Sequence, residues 1–273
     1  MMVRIGDIWD RTVDVLRGRA GILATIAALT IVLPAVVGTA VRLLVATRDP
    51  WLVLVPAVSL ASVVLMILGV LAMTAVASDP AVDRAGAFRI AVQRLLPALG
   101  IVVALMVIAG VLLTPAVVLM ALAGVSVNKA GGVVVPAVGT GLTAAAALAF
   151  LATVALGLWV SARIVPLFGI VVNERCGLGA LRRSFALSRG ATLRLIGVLL
   201  LYVVVAFVVA LAATSVVGVV AGLTLGRESV VAALIIATVS AIVSALTTVV
   251  QSVFYARFYV AAVEREQRMA PLV

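Results

Sequence analysis

Residues 193–225 read LRLIGVLLLYVVVAFVVALAATSVVGVVAGLTL, and this stretch decides the fold. It carries a single charged side chain, Arg194, close to its start. A helix rises about 1.5 Å per residue and the hydrocarbon core of a bilayer is about 30 Å thick, so about 20 apolar residues suffice to cross it. The stretch is therefore predicted to be a transmembrane helix.

Five further stretches satisfy the same criterion, which gives six predicted spans in a chain of 273 residues. They are residues 21–41, 51–77, 97–125, about 139–172 and 230–263. The composition agrees, because 66% of the residues are hydrophobic, only 11% are charged and the mean hydropathy is +1.38. We expect an all-α fold that forms one integral membrane domain over residues 1–273.

The basic residues are distributed unequally between the two ends of the predicted spans. Six spans place both termini on one side, and the segments on that side carry all the Lys and Arg residues except Arg42, Arg48, Lys129 and Arg227. Cytoplasmic segments of membrane proteins carry the excess of Lys and Arg. Both termini are therefore predicted to be cytoplasmic, in a multi-pass protein of a bacterial inner (plasma) membrane. The net charge of +10 is interpreted as this topology signal, and no nucleic-acid partner is expected.

Three similar segments precede the first, third and fifth spans. They read GDIWDRTVDVLRGRAGIL from Gly6, GAFRIAVQRLLPALGIVV from Gly86 and GALRRSFALSRGATLRLI from Gly179. Each interleaves arginines with apolar residues and meets a helix breaker about eleven residues on. The breakers are Gly18, Pro97 and Gly190. We predict three cytoplasmic amphipathic helices and a threefold repeat of amphipathic helix, span, span, with units of about 1–77, 78–172 and 173–273.

A family resemblance is carried by residues 163–196. An Arg precedes a Pro in the fourth span, an acidic residue follows near the membrane edge, and an Ala-Leu-x-x-Ser-x-x-Leu run with arginines leads into the fifth span. These positions are Arg163, Pro166, Glu174, Ala180, Leu181, Ser184 and Leu187. The pattern resembles the membrane domain that accompanies some bacterial glycerophosphodiester phosphodiesterases, and the related YciC-type inner-membrane proteins. The resemblance implies a polytopic inner-membrane protein, with phosphodiesterase activity confined to a separate soluble domain.

The residue types of the chain argue against catalysis. The chain contains no histidine, and Cys176 is its one cysteine, so histidine or cysteine-cluster metal sites are not expected. The acidic residues lie at the edges of the predicted spans, which leaves no carboxylate for a proton relay within the membrane. We predict no catalytic residue, no metal and no cofactor, and phosphodiesterase activity is not expected of this chain.

Four arginines before or at the start of the fifth span are candidates for contact with anionic phospholipid. They are Arg182, Arg183, Arg189 and Arg194. Basic residues just cytoplasmic of a span gain about 1 kcal/mol each near an anionic surface. The alternative is that these arginines only set the topology, since both interpretations depend on the same clustering.

A second group of candidates consists of polar residues within or beside the spans. Arg163 is predicted about nine residues, or about 13 Å, inside the fourth span, where an arginine needs a partner or water. The candidate partners are Glu174, Glu264 and backbone carbonyls freed by Pro166. Arg163 would either hold the bundle together or contact a substrate. Gln251 and Arg257 in the sixth span leave the same two alternatives open.

The preferred hypothesis is a non-catalytic inner-membrane protein that engages anionic lipid or an unknown protein partner, as an envelope or lipid-homeostasis factor. The alternative is a transporter or channel for a lipid or a small anionic solute. In that case Arg163 and Arg257 would line the path.

Overall fold

A computed structural model describes residues 5–45, 54–127, 133–134, 140–174, 176–177, 179–226 and 229–269. Arg48 and residues 128–132, which lie between the predicted spans, fall outside these ranges. Arg4, Arg175 and Arg227, which enter the predicted charge distribution, also lie outside them.

Helices make up nearly all of the regular structure in the described ranges. In chain order they are α1 (Ile5–Ala27), a π-helical turn (Ala28–Val32), α2 (Leu33–Val45), α3 (Leu54–Ser78), α4 (Arg84–Leu122), α5 (Thr140–Arg163), α6 (Leu167–Asn173), α7 (Gly179–Leu187), α8 (Thr192–Leu225) and α9 (Val230–Met269). Two short strands, β1 (Ser126–Val127) and β2 (Val133–Val134), pair antiparallel between α4 and α5. The predicted all-α class is confirmed.

Six helical stretches are long and apolar enough to cross a membrane. They are Ile5–Val45, Leu54–Ser78, Arg84–Leu122, Gly141–Asn173, Thr192–Leu225 and Val230–Arg268. Each contains one predicted span or most of it, so the six spans are confirmed as helices. Large apolar side chains such as Leu201, Phe207 and Leu223 are exposed along them, as expected for a surface in contact with lipid. The chain has the architecture of a multi-pass membrane protein.

Of the three predicted helix breaks, the first corresponds to a kink and the second is wrong. Helix α1 consists of two helical parts joined at a kink one residue after Gly18, where Arg19 has φ −129° and ψ 18°. Helix α4 continues through Pro97, which frees the carbonyl of Gln93 four residues earlier. In the second copy the amphipathic segment and the following span therefore form one continuous helix.

The third break is present, and a further one was not predicted. Helix α7 ends at Leu187, before Gly190 turns the chain with φ +84°. The fourth span is divided into α5 and α6, because Pro166 has no N–H to donate and its ring clashes with the carbonyl of Ala162. Arg163 is consequently the last residue of α5, and it still lies inside the membrane-spanning stretch Gly141–Asn173.

Helix α9 occupies the centre of the bundle, where it packs against α1, α2, α3, α6 and α8. Close approach depends on glycine at two points. A Cβ atom on Gly69 of α3 would lie 2.1 Å from the Thr30 Oγ1 atom of the π-helical turn, and one on Gly169 of α6 would lie 2.5 Å from the Tyr259 Cγ atom of α9. Small residues permit such helix contacts in membranes.

Arg19 ties α1 to the turn that follows α3. Its Nη1 atom donates hydrogen bonds to the carbonyls of Val76 (3.0 Å), Asp79 (3.1 Å) and Val82 (3.1 Å), and its Nη2 atom donates to the carbonyl of Pro80. The last carbonyls of a helix have no partner within that helix. Arg19 thus lies at the kink of α1, and its guanidinium donates hydrogen bonds to carbonyls at the end of α3.

We predict that Arg19→Gln lowers the apparent Tm of the purified protein in detergent by about 5 °C or more, because charged donors are lost from several carbonyls at once. Arg17→Gln is the matched control, since Arg17 is exposed on the same helix. Equal Tm values for the two variants would contradict the role given to Arg19.

We also predict that Gly69→Ala destabilises the protein, because the added methyl group meets Thr30 at a distance that no packing tolerates. Gly100→Ala in α4 is the control, since a Cβ atom there has no heavy atom within 4 Å. That control should be neutral or stabilising, as alanine is favoured over glycine by up to about 1 kcal/mol inside a helix. Thermal unfolding of both variants tests the difference.

Candidate anion-binding site

Helix α7 is docked on the end of α5 by hydrogen bonds to both the backbone and the side chain of Arg163. The hydroxyl of Ser184 donates to the Arg163 carbonyl at 2.7 Å, and Arg163 Nη1 donates to the Phe185 carbonyl at 3.0 Å. Ser184 is fully buried. Since α5 ends at Arg163, the serine satisfies a carbonyl that the helix itself leaves unpaired.

The partner of Arg163 is none of the three that were predicted. The guanidinium binds the carbonyl of Phe185 in α7, and bonds neither to Glu174 or Glu264 nor to a carbonyl freed by Pro166. It also lies over the Trp159 ring, with 5.2 Å between its Cζ atom and the ring centroid. The Nε atom is buried with no hydrogen-bond partner in the described part of the chain. Arg163 is therefore held in place by these contacts, and not all of its N–H groups are used in hydrogen bonds.

Three arginines converge on one cavity of about 510 Å³ at the junction of α5 and α7. Its lining residues, called here the arginine pocket, are Trp159, Arg163, Arg182, Phe185, Ala186 and Arg189. The rings of Trp159 and Phe185 meet edge to face, with centroids 5.8 Å apart. The lining thus combines three positive charges with an aromatic wall, and it includes no acidic side chain.

Arg183 and Arg194 lie outside the arginine pocket. Arg183 Nε donates to Glu174 Oε2 at 3.1 Å, and its two terminal nitrogens donate to the two oxygens of Glu266 at 2.8 and 2.5 Å. Glu174 also accepts a hydrogen bond from the Tyr259 hydroxyl at 3.2 Å. Arg194 is exposed on α8. Of the four arginines predicted to contact lipid, Arg182 and Arg189 line the pocket.

The ion pairs of Arg183 fasten α7 to the end of α9. The hydrogen bonds from Glu266 raise the pKa of Arg183 above its ordinary value, burial opposes this rise, and Glu174 adds to it. In return the hydrogen bonds from Arg183 lower the pKa of Glu266 below its ordinary value. Both groups are thus charged near neutral pH, and α7 is held so that Arg182 faces the pocket.

Sequence reasoning missed the two aromatic residues of the pocket and Glu266, but part of the signal was present. Trp159 precedes Arg163 by four residues, which places the two on one face of a helix. Arg182 and Phe185 are three residues apart, which places them on one helical face, whereas Arg183 lies about 100° around the helix. Arg189 lies in the turn after α7. The pairing with Glu266, 83 positions away, has no local signal.

Gln251 lies in a second cavity, of about 480 Å³, between α1, α8 and α9. Its Nε2 atom donates to the Tyr255 hydroxyl at 2.7 Å, one helical turn along α9. The walls are otherwise mainly apolar and include Trp9 and Phe254. The predicted interior polar position is thus satisfied within its own helix.

Arg257 lines a third cavity, of about 450 Å³, between α1 and α9. The remaining lining residues are Arg11, Asp14, Val15, Gly18 and Arg19. Arg11 pairs with Glu264 at 3.4 Å. Arg163 and Arg257 therefore line two different cavities.

No family model, curated protein or solved structure matches the chain. The resemblance to phosphodiesterase membrane domains accordingly stays a prediction, and the site is interpreted from its own geometry. Within the described ranges, no group of three or more His, Cys, Asp or Glu side chains is arranged to hold a metal ion.

The ion pair between Arg183 and Glu266 predicts a pH dependence of stability. A carboxyl group whose pKa is lowered by folding stabilises the protein fully above its unfolded pKa of about 4.3. This contribution decreases as the pH falls below that value and is lost once the pH falls through the lower pKa of the folded state. The Tm of the wild type should therefore decrease as the pH falls below about 5, and part of this decrease should be missing in Glu266→Gln.

The matched control is Asp10→Asn, which removes an exposed carboxylate of α1. It should keep the acid-dependent decrease of the wild type. If Glu266→Gln showed the same pH profile as the wild type and Asp10→Asn, the ion pair would not stabilise the docking of α7.

Proposed function

We propose that this multi-pass membrane protein binds anionic phospholipid through the arginine pocket and catalyses no reaction. The observation that carries the proposal is the convergence of Arg163, Arg182 and Arg189 on one cavity without an acidic side chain. Arg182 and Arg189 are exposed and Arg163 is partly buried, so an anion can reach all three, and their like charges favour a bound anion. Phosphate is a suitable anion, because guanidinium donors match its oxygens in paired hydrogen bonds.

The aromatic wall favours a lipid as the source of that phosphate. Trp159 belongs to the membrane-spanning stretch Gly141–Asn173, and it is partly exposed beside Phe185. Tryptophan is enriched where the apolar core of a bilayer meets its head groups. A ligand at this place can set its phosphate among the arginines and its glycerol and acyl chains against the rings.

Several contacts support placing the pocket at the cytoplasmic side. Arg11 pairs with Glu264, Arg19 bonds to the turn after α3, and Arg183 pairs with Glu266. These contacts join the segments to which most of the basic residues belong. In an inner membrane with both termini cytoplasmic, this end would face the anionic cytoplasmic leaflet, which attracts basic residues.

We prefer binding to transport because the two arginines proposed to line a path are separated. Arg163 lines the pocket at the α5 and α7 junction, and Arg257 lines the cavity beside α1. Lipid binding needs only the first of these places. An envelope or lipid-homeostasis role is consistent with such a site.

We predict that Arg182→Gln and Arg189→Gln each weaken binding of phosphatidylglycerol about fivefold, since each arginine contributes about 1 kcal/mol. Native mass spectrometry of the detergent-purified protein with added lipid measures the bound fraction. Arg194→Gln is the matched control, because Arg194 is exposed at the same end of the bundle and lies outside the pocket lining.

Equal weakening by Arg194→Gln would show a diffuse effect of surface charge and would contradict the proposal. Phosphatidylcholine bound as tightly as phosphatidylglycerol would contradict it too.

A further inference from the structure

The arginine pocket has an excess of positive charge that a single negative charge does not neutralise. We infer that it selects the phosphomonoester head group of a lipid, a terminal phosphate with two negative charges, over phosphodiester and ammonium-bearing head groups. This inference rests on the proposed function and names the ligand class of the same site.

The charge balance gives the first reason. The three guanidiniums of Arg163, Arg182 and Arg189 face one cavity, and its lining includes no acid. The two nearby carboxylates, of Glu174 and Glu266, are already bound to Arg183. A phosphodiester would leave two positive charges without a counterion, whereas a phosphomonoester would leave one. The second negative charge adds a further Coulomb attraction to each of the three guanidiniums.

The supply of hydrogen-bond donors gives the second reason. Arg163 uses Nη1 on the Phe185 carbonyl, and its Nε atom is buried without a partner. Arg182 and Arg189 make no side-chain hydrogen bond to any residue that the structure describes. Each guanidinium has five N–H donors. A terminal phosphate offers three unesterified oxygens to three guanidiniums, whereas a phosphodiester offers two.

The pocket also lacks any group that would receive an ammonium. Ethanolamine, choline and serine head groups carry a cation that needs a carboxylate or an aromatic face. The lining contains no carboxylate, and the guanidinium of Arg163 already lies over the Trp159 ring, which leaves the Phe185 ring as the one aromatic contact in the lining. A head-group ammonium would be repelled by three guanidiniums, and this single ring would not compensate for three like charges.

The test uses the full chain in nanodiscs of phosphatidylcholine that contain a fluorescent phosphatidate or phosphatidylglycerol at equal mole fraction. At pH 8 we expect phosphatidate to bind about tenfold more tightly. The second phosphate pKa is about 6, so the preference should shrink at pH 5, where the monoester carries one charge. Arg182→Gln and Arg189→Gln should reduce the preference, and Arg194→Gln should leave it unchanged.

Each outcome discriminates between the claims. Suppose that the two lipids bind equally at both pH values and that binding still depends on Arg182 and Arg189. This result would overturn the inference and would leave the proposed function unaffected. Binding that is independent of Arg182 and Arg189 would overturn both. Competition with inorganic phosphate tests whether the natural ligand is a soluble phosphate. If millimolar phosphate displaced phosphatidate completely, the claim that the ligand is a lipid would be contradicted.

Discussion

Hydrogen bonds from arginine side chains to backbone carbonyls join the segments at one end of this bundle. A bilayer offers no hydrogen-bond partners to the backbone, and the last carbonyls of every helix are unpaired. Arg19 donates to carbonyls of the turn that follows α3, and Arg163 donates to the Phe185 carbonyl in α7. The same chemistry thus fastens α1 to α3 and α5 to α7. The arginine pocket is a consequence, because the docking of α7 on Arg163 brings Arg182 and Arg189 beside it.

The two arginines of α7 have different roles because they point to different sides of the helix. Arg183 faces α9 and is neutralised by Glu174 and Glu266. Arg182, one residue earlier, faces the cavity, where the lining provides no acid. The ion pairs of Arg183 hold the helix without reducing the charge of the pocket. Arg182 and Arg189 therefore have no acidic partner in the pocket lining, beside the rings of Trp159 and Phe185.

The six spans were predictable because hydropathy is a property of local composition, and each span is longer than the bilayer requires. The helix breaks were less predictable. Pro97 was expected to end a helix, but α4 continues past it, whereas Pro166 does divide the fourth span. Pairing was the least predictable, because Glu174 was expected to bind Arg163 and binds Arg183. Which carboxylate meets which arginine depends on how distant helices pack, and single-sequence periodicity carries no information about that.

The central claim is that Arg163, Arg182 and Arg189 together hold the phosphate of a lipid. The most direct measurement is a structure of the protein in nanodiscs that contain phosphatidate, determined by electron cryo-microscopy. The account predicts density for a phosphate within hydrogen-bonding distance of the three guanidiniums, with acyl chains leading past Trp159. Lipid density around the spans with an empty arginine pocket, or Arg182 and Arg189 turned away from Arg163, would contradict it.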